Sequence, residues 1–452
     1  MTEAIKENKM GVMPVKKLIV TMSLPMMISM LVQALYNIVD SIFVSEFSTD
    51  ALNAVSIVFP VQNLMIAFAS GTGVGINALL SQSLGAKRFD DADKAANNGI
   101  FLNIFNTLLF VLIGFFFTDK YMSMLSETSA IADYGHQYMS IICIFSVGCF
   151  AQVTFERLLQ STGHTLQCMI SQATGAIINI ILDPMFIFGI GFFPKLGVAG
   201  AAVATVIGQC TAACIAIGLN IKYNTDIHLG IKRIFKPEGR IIGRIYGVGV
   251  PSILMMSIGS VMTFLMNKIL LGFSATAQTV FGVYFKLQSF FFMPIFGLNN
   301  GLIPVMAYNY GARKKARIME ALKFSMLLAL CIMLFGTLMF VAIPGVLLGF
   351  FDADKAMLDI GIPALRIIAI HFPVAAICIV LGSTFQAFSK SVFSLIVSLA
   401  RQLVVLIPAA WLLALTGNVV NVWWAFPIAE VMSFIMSFIF FRQIKKKVID
   451  TL

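Results

Sequence analysis

The sequence predicts an all-α polytopic membrane protein, with about twelve transmembrane helices in two six-helix bundles related by pseudo-two-fold symmetry normal to the membrane. Three observations predict this class. Hydrophobic residues make up 59% of the 452 residues and charged residues only 12%, and the mean hydropathy is +0.92. Apolar segments long enough to cross a bilayer recur along the whole chain. The second half also repeats residues of the first half at a constant offset.

The charge and cysteine content exclude several other classes of protein. The net charge of +10 comes from loops and tails at one membrane face, so it does not indicate nucleic-acid binding. All seven cysteines fall in apolar segments without a Cys-x-x-Cys pair, which is typical of small buried hydrophobes. The sequence has no metal-ligand set, no paired-Asp diphosphate motif and no Ser/His/Asp arrangement. We therefore do not expect an enzyme.

Each apolar segment of about 20 residues or more predicts one membrane span. The predicted spans are 16–44, 51–82, 95–118, 131–161, 166–190, 197–220, 243–272, 276–308, 318–344, 357–388, 392–415 and 419–441. The polar N-terminal stretch before the first span has no cleavable signal pattern, so we expect the first span to be retained.

The distribution of lysine and arginine predicts that both termini are cytoplasmic. Starting with Lys6, basic residues accumulate at one face, notably in residues 87–94 and 442–447. The opposite face has only the lysines Lys120, Lys195 and Lys355. Its loop acids include Glu127 and Asp352. Because cytoplasmic loops are enriched in positive charge, we expect a multi-pass protein of the plasma or inner membrane.

An internal repeat divides the chain. The Gly-Ala-Lys-Arg stretch at 85–88 recurs as Gly-Ala-Arg-Lys at 311–314, an offset of 226 residues. At the same offset, scattered individual residues between Pro25 and Gln160, among them Phe47, Gln62 and Ala95, have identical counterparts. Each half has six spans, and an even number returns the chain to its starting side. The halves are therefore predicted to be parallel repeats about an axis normal to the membrane.

The repeat also predicts the domain boundaries. We expect an N-terminal six-helix lobe over residues 1–225, a basic cytoplasmic linker over 226–242 and a C-terminal six-helix lobe over 243–452. Two lobes with a shared cleft at the bilayer midplane are typical of transporters that alternate between inward-open and outward-open states. A channel is less consistent with this duplication, which favours alternating access.

The most informative stretch for function is Asn179-Ile-Ile-Leu-Asp183-Pro184, inside the apolar segment 166–190. A carboxylate near the middle of such a helix costs roughly 2.5–3.5 kcal/mol on insertion scales. Asn179 and Asp183 are four residues apart and so point from the same helix face. Pro184 has no N–H, which leaves the carbonyl of Ile180 free. This face suits a proton or a small cation. The alternative is a buried Asn–Asp pair that only joins two helices.

Depth along the spans predicts that other residues join this face. Asp40 and Asp183 both come late in spans that run outward, whereas Ala201 and Thr205 come early in a span that runs inward. We therefore expect one cluster of Asp40, Asn179, Asp183, Thr205 and the Ala201 carbonyl. Two neighbouring carboxylates in a low dielectric do not easily both stay ionised, so the pair can exchange a proton, Na⁺ or a cationic substrate.

Three further polar residues are candidates for substrate binding together with Asp183. Glu156 lies near the inner end of its span, where it either binds substrate or pairs at the interface with a loop cation. Lys286 lies two residues before Gln288, and both are expected to face the central cavity.

Charged residues in the last spans favour a structural interpretation. Arg401 and Glu430 lie near mid-depth in spans eleven and twelve, and membrane charges usually pair, which predicts an ion pair. His371 is a lone mid-span histidine, which is more often a packed residue than a proton carrier.

Taken together, these motifs resemble those of the MATE (multidrug and toxic compound extrusion) transporters, over nearly the whole chain. The stretches that carry the resemblance are Ser23-Leu24-Pro25, the loop at 85–88, Gln160-Ser161-Thr162-Gly163, Asn179 to Pro184, Gly197 to Ala202, and Arg401-Gln402 before Pro408. The resemblance implies export of hydrophobic, often cationic drugs, driven by inward movement of protons or sodium ions. Antibiotic resistance would be one consequence.

The resemblance also implies roles for individual residues. One branch of the family has a first-half cation site that is matched here by Asp40, Asn179, Asp183, Thr205 and the backbone of Ala201. These residues would hold H⁺ or Na⁺. Another branch uses acids in spans seven, eight and ten, where this chain has no carboxylate, so coupling is expected in the first lobe only. Glu156 resembles a span-four glutamate of Gram-positive multidrug members that bears on drug transport.

The main alternative function is a flippase for a lipid or lipid-linked sugar, because such proteins share a superfamily with MATE proteins. They tend to have extra spans and a basic cavity lining, for which this chain offers only Lys286 and Arg401. For the antiporter we expect no cofactor beyond the coupling ion. Its expected partners are small hydrophobic or cationic drugs and membrane lipids, without nucleic acid, and we expect a monomer.

Overall fold

The computed structural model describes residues 7–126, 128–351 and 353–452. This described part is helical and contains no β-strand. Lys6, Glu127 and Asp352, which contributed to the predicted orientation, lie outside the described residues.

The described residues of the first half form helices of very different length. They are α1 (Lys9–Val12), α2 (Val15–Phe47), α3 (Thr49–Gly85), α4 (Phe89–Phe116), α5 (Thr118–Leu125), α6 (Ser129–Ile144), α7 (Val147–Ser161), α8 (Thr165–Phe188), α9 (Val198–Tyr223) and α10 (Ile231–Ile234).

The second half follows the same sequence of long and short helices. They are α11 (Gly239–Leu271), α12 (Ala275–Gly311), α13 (Lys315–Ala342), α14 (Pro344–Gly349), α15 (Lys355–Ala369), α16 (Phe372–Ala387), α17 (Ser391–Leu399), α18 (Ile407–Ala414), α19 (Val419–Val422) and α20 (Ala425–Ile444). Two π-helical segments, Ala400–Leu406 and Lys445–Ile449, continue α17 and α20.

The predicted number of spans is confirmed. Among the described residues, ten helical segments are long and apolar enough to cross a membrane, and the number rises to twelve if each of two bent helix pairs is one span. The bent pairs are α6 with α7, at 44°, and α15 with α16, at 48°. They correspond to the predicted spans 131–161 and 357–388.

The repeat is visible in the lengths and caps of the helices. α2 and α11 have 33 residues each, α3 and α12 have 37, and α4 and α13 have 28. The hydroxyl groups of Ser48 and Ser274 cap the N-termini of α3 and α12. At their C-termini Lys87 and Arg313 adopt left-handed backbone, with φ of 57° and 56°. The same turn sequence therefore ends the same helix in both halves.

The chain divides into two compact units. Of the described residues, one unit contains 7–8 and Ile28–Ile253, and the other contains Lys9–Met27 and Leu254–Leu452. Two of the boundaries therefore fall inside α2 and α11. In the first unit a buried apolar cluster brings together side chains of α2, α3, α4, α6 and α9, including Val44, Val58, Phe110, Tyr138 and Ala201. This cluster lies beside the polar residues described below.

Aromatic rings form much of the interior of the second unit. Phe281 and Tyr284 of α12 pack on Phe426 of α20, with ring centroids 6.1 and 5.8 Å apart. Phe340 packs edge-on against Phe372 at 5.1 Å. Edge-to-face pairs of this kind stabilise a core beyond the burial of their area.

Small residues allow α8 and α9 to pack closely in the first unit. A Cβ atom on Gly175 would lie 2.9 Å from the carbonyl oxygen of Gly208, and one on Gly208 would lie 2.8 Å from that of Gly175. Such close approach of two backbones is typical of membrane helix pairs with small residues at the interface. It brings Asn179 and Thr205, each one turn from these glycines, within contact distance.

Candidate functional site

A buried polar cluster joins α2, α8 and α9 of the first unit. The Nδ2 group of Asn179 donates hydrogen bonds to Asp183 Oδ1 at 3.2 Å and to Thr205 Oγ1 at 3.3 Å. The carboxyl groups of Asp40 and Asp183 are within hydrogen-bonding reach of each other. Asp183 is fully buried, and Asn179 and Thr205 are almost so. The structure thus brings together the four side chains that the sequence placed in one cluster.

The cluster has more acceptors than donors. Asp40 Oδ1, Asn179 Oδ1 and Asp183 Oδ2 are buried and accept no hydrogen bond from the described residues. A buried oxygen without a donor is costly, by about 1–3 kcal/mol or more for a charged group. Three such oxygens in one cluster can be satisfied by a proton shared between the carboxyls or by a small cation. Oxygen ligands of this type suit a hard cation such as Na⁺.

Two tyrosines surround the carboxyl pair. Tyr36, one turn before Asp40 on α2, and Tyr138, on α6, are both in electrostatic range of Asp40 and Asp183. Tyr138 is 1% exposed and shares a hydrogen bond with Gln62 of α3. The sequence reasoning missed both tyrosines. The four-residue spacing could have found Tyr36, but no sequence signal connects Tyr138 with this site.

An apolar layer lies next to the polar cluster. Val44, Ile187 and Ala201 belong to the same buried apolar cluster and are each four residues from a polar member on the same helix. Residues four apart stack on one helix face, so this layer lies one turn from the carboxyl pair. It excludes water from that side. The side chain of Ala201 belongs to this layer, and a role for its carbonyl oxygen as a cation ligand stays a prediction.

Glu156 belongs to a second, separate cluster. Its Oε1 accepts hydrogen bonds from Gln152 at 3.0 Å and Ser171 at 3.4 Å, and its Oε2 accepts one from Gln172 at 2.7 Å. It is 2% exposed, and these hydrogen bonds come from neighbouring side chains rather than from a loop cation. Its role in substrate binding stays a prediction. Gln172 lies eleven residues before Asp183 on α8, a separation of about 16 Å along the helix. The structure does not bring Glu156 and Asp183 into one site.

Lys286 and Gln288 are both on α12 in the second unit. The ammonium group of Lys286 lies over the ring of Phe351, 5.9 Å from its centroid. Gln288 accepts a hydrogen bond from the hydroxyl of Tyr284 at 2.5 Å. Their expected place in a substrate cavity stays a prediction.

The predicted ion pair of the second unit is confirmed. Arg401 Nη1 lies 3.2 Å from Glu430 Oε2. His371 is a packed residue, as expected, because it is 6% exposed, its Nδ1 lies 2.5 Å from the carbonyl oxygen of Ile368 and its ring stacks on Phe426.

Comparison with protein families decides the class. The MatE family pattern matches residues 25–185 and again residues 251–412. The chain belongs to the MatE family. The two matches begin 226 residues apart, which is the offset of the internal repeat. MATE proteins are multi-span membrane transporters, so this chain is a membrane transporter.

Curated relatives from bacteria cover nearly the whole chain. A protein named FAD transporter from Shewanella oneidensis is 25% identical over 93% of this chain and 92% of its own length. The multidrug export protein MepA from Staphylococcus haemolyticus is 26% identical over 95% of this chain and 94% of its own length. MepA from Staphylococcus aureus is 26% identical over 92% and 91%.

Solved structures of MATE transporters have the same fold. A MATE protein in complex with MaL6 superimposes with a TM-score of 0.92 at 25% identity, covering 99% of this chain and 100% of that chain. A multidrug resistance MATE family transporter in an outward-facing conformation superimposes with a TM-score of 0.90 at 26% identity, covering 100% of both chains. The expected fold of two helix bundles is therefore confirmed.

Proposed function

We propose that this MATE protein is a secondary active multidrug efflux antiporter, which exports hydrophobic or cationic compounds in exchange for H⁺ or Na⁺ by alternating access. The observation that carries the proposal is the cluster of three unpartnered oxygens on Asp40, Asn179 and Asp183. They lie inside the membrane-spanning helices of a transporter family. Ionisable residues at such positions usually mark an ion or substrate pathway.

Asp40, Asn179 and Asp183 would couple inward ion movement to outward drug movement, because the ion and the drug compete for the same carboxyls. An inward-moving proton or Na⁺ satisfies the oxygens of Asp40 and Asp183, with the Asn179 amide holding the Asp183 carboxyl in place. A cationic substrate favours the same carboxyls in their ionised state. The coupling ion and the drug are not bound at the same time, so binding of the ion promotes release of the drug. One charge moving through 100 mV supplies about 2.3 kcal/mol, which sustains export against a useful gradient.

The chemistry of the site favours a cationic over an anionic cargo. One relative is named as a FAD transporter, and FAD carries negative phosphates, whereas other relatives are named as multidrug exporters. Within the cluster, the buried atoms without partners are the oxygens of two carboxyls and an amide, on Asp40, Asp183 and Asn179. Such a site repels a phosphate and attracts a cation. A flippase for a phosphate-bearing lipid or lipid-linked sugar is disfavoured for the same reason.

Transport in proteoliposomes tests the proposal. We expect Asp183→Asn to fold but to lose ethidium efflux driven by an imposed pH or sodium gradient, because the amide cannot take up a proton or neutralise a cation. Asp133→Asn, at an exposed position of α6, removes the same charge outside the site and should transport normally. Imposing the two gradients separately identifies the coupling ion. Normal gradient-driven efflux by Asp183→Asn would overturn the proposal.

A further inference from the structure

Arg401 and Glu430 lie on the helices of the second unit that correspond to α8 and α9. In each half, two spans follow the bent helix pair. In the first half these are α8 and α9, which supply Asn179, Asp183 and Thr205. In the second half they are the segment Ser391–Ala414, which includes Arg401, and the segment Val419–Ile449, which includes Glu430. The charged groups of both halves are therefore on equivalent elements.

The buried carboxyls of the two halves have different partners. At the repeat offset of 226, the positions of the four polar side chains of the first unit are occupied by Met266, Val405, Ala409 and Val431. The second unit therefore lacks the paired carboxyls at these positions. It instead places an acid and a base together, with Glu430 Oε2 3.2 Å from Arg401 Nη1.

The surroundings of Glu430 contain one permanent positive charge. Glu430 is 3% exposed, and its Oε1 accepts no hydrogen bond from the described residues. The titratable groups that face it are the Arg401 guanidinium, the Cys378 thiol of α16, the Tyr284 hydroxyl of α12 and His371, which lies between α15 and α16. Three other helices pack against α20. α17 and α18 have no ionisable side chain, whereas α15 has Lys355, Asp359 and Arg366, of which Arg366 is exposed and donates to the carbonyl of Val341.

The backbone around Arg401 is also unusual. Residues Ala400–Leu406 form a π-helical segment within an otherwise α-helical span. Such segments insert one extra residue into a turn and frequently occur at functional sites. Arg401 is the second residue of this segment, and its guanidinium contacts Glu430 across helices.

We propose that Arg401 is a tethered counter-cation that neutralises Glu430 in the second unit, as the exchangeable ion neutralises the carboxyls of the first unit. It keeps Glu430 ionised and unavailable to H⁺ or Na⁺. Without Arg401, Glu430 becomes an additional ion-binding carboxyl, beside Asp40 and Asp183. Arg401 is thus a positioning residue that sets the number of ions exchanged per transport cycle. The link to ion number depends on the proposed antiport, whereas the charge state of Glu430 does not.

Infrared spectroscopy of the purified full-length protein in detergent tests the charge state directly, because a protonated carboxyl has its own C=O stretching band. At neutral pH we expect Glu430→Gln to remove no protonated-carboxyl band from the wild-type spectrum. We expect Arg401→Gln to gain one such band, and Arg401→Gln/Glu430→Gln to lose it again. Arg401→Lys keeps the positive charge and should retain the wild-type spectrum.

Either of two results would overturn the proposal: a protonated Glu430 band in the wild type, or no new band in folded Arg401→Gln. If Arg401→Gln fails to fold while the double variant folds, Arg401 is needed only while Glu430 is charged, which supports the proposal. If both variants fail to fold, Arg401 has a packing role and the proposal is wrong.

The transport consequence is measured separately from the charge state. In a protein coupled to protons, we expect Arg401→Gln to move one more proton per ethidium than the wild type in proteoliposomes. If Asp183→Asn and Asp40→Asn both keep gradient-driven coupling, the proposed antiport is wrong. The infrared result for Glu430 can still be interpreted in that case. An unchanged proton number together with the new carboxyl band would show that Glu430 binds a proton without exchanging it, and would overturn the link to stoichiometry.

Discussion

The amide of Asn179 illustrates how one side chain organises an ion site at the residue scale. Its two N–H groups are both used, one on Asp183 and one on Thr205, while its oxygen accepts no hydrogen bond. The NH₂ group of the amide therefore orients the Asp183 carboxyl, while the amide oxygen remains available as an acceptor in the same cluster. An alanine would remove both functions, and an aspartate would add a third negative charge.

We expect Asn179→Ala to change the concentration of coupling ion needed for half-maximal ethidium efflux by on the order of tenfold or more. The concentration falls for H⁺, because the ionised carboxyl of Asp183 loses a donor, and rises for Na⁺, because the cation loses the amide oxygen as a ligand. The reason is the loss of a hydrogen bond to a charged group, which contributes about 1.5–3 kcal/mol. Efflux from proteoliposomes at graded pH or Na⁺ concentration measures the shift. Thr174→Ala is the control on the same helix, since its hydroxyl bonds only one turn back, to the carbonyl of Ile170. An unchanged ion dependence of Asn179→Ala would exclude the amide from the ion site.

Glu156 shows a different use of a buried carboxylate, because side-chain donors satisfy both of its oxygens. We expect Glu156→Gln to lower the free energy of unfolding by about 1–3 kcal/mol, because the new NH₂ group faces the amide donors of Gln152 or Gln172. Thermal unfolding in detergent measures this change. Glu46→Gln, at an exposed position of α2, should unfold as the wild type does. Wild-type stability of Glu156→Gln would contradict a structural role for these contacts.

At the scale of elements, the close packing of α8 against α9 decides whether the site forms. The site side chains reach one another because glycines lie at the crossing of the two helices. A methyl group on Gly208 would meet the carbonyl oxygen of Gly175 at 2.8 Å and the Cβ of Asn179 at 3.1 Å. Both helices would have to move apart to accommodate it.

We therefore expect Gly208→Ala to destabilise the protein by about 1–3 kcal/mol, the usual effect of overpacking, and to weaken gradient-driven efflux. Gly218 offers a control on the same helix, because a Cβ there would meet nothing within 4 Å. Gly218→Ala should be neutral or stabilising by up to about 1 kcal/mol, from helix propensity alone. Melting temperatures and efflux of the two variants check the contrast. Equal effects at both positions would show that the crossing does not depend on glycine.

At the scale of the whole molecule, the segment predicted as a linker is docked on the first unit. The carboxylate of Asp93 on α4 accepts hydrogen bonds from the backbone N–H of His228 at 2.7 Å and from Arg233 at 3.0 Å. The side-chain oxygen of Asn97 accepts a hydrogen bond from the backbone N–H of Gly230, and that of Asn98 accepts one from the backbone N–H of Glu238. Four contacts from one helix face thus hold residues 228–238 in place.

We expect Asp93→Ala to speed backbone hydrogen exchange in residues 226–238, most at the His228 amide, because that N–H loses its acceptor. Hydrogen–deuterium exchange with mass spectrometry measures the effect. Asp91→Ala is the control on the same helix, since the carboxylate of Asp91 pairs with Arg88 and not with the segment 226–238. Unchanged exchange in the segment would show that Asp93 does not hold it.

Several features could be predicted from the sequence because they depend on short-range pattern. Runs of apolar residues determine the spans, and the four-residue spacing of Asn179 and Asp183 determines their common face. The repeated turn at 85–88 determines where α3 ends. Even the depth agreement between Asp40 and Thr205 follows from counting residues along straight helices.

Other features depend on contacts between distant parts of the chain, and only the tertiary structure decided them. Tyr138 approaches the carboxyl pair because α6 packs against α3 and α9, which no spacing in the sequence indicates. Glu156 is separated from Asp183 because its donors come from Gln152 on α7 and from the first half of α8. The sequence by itself thus determined which helices cross the membrane and which side chains share a face, since both follow from helix geometry. The tertiary structure decided which faces meet, because side-chain packing and hydrogen bonds between helices select among many sterically allowed pairings.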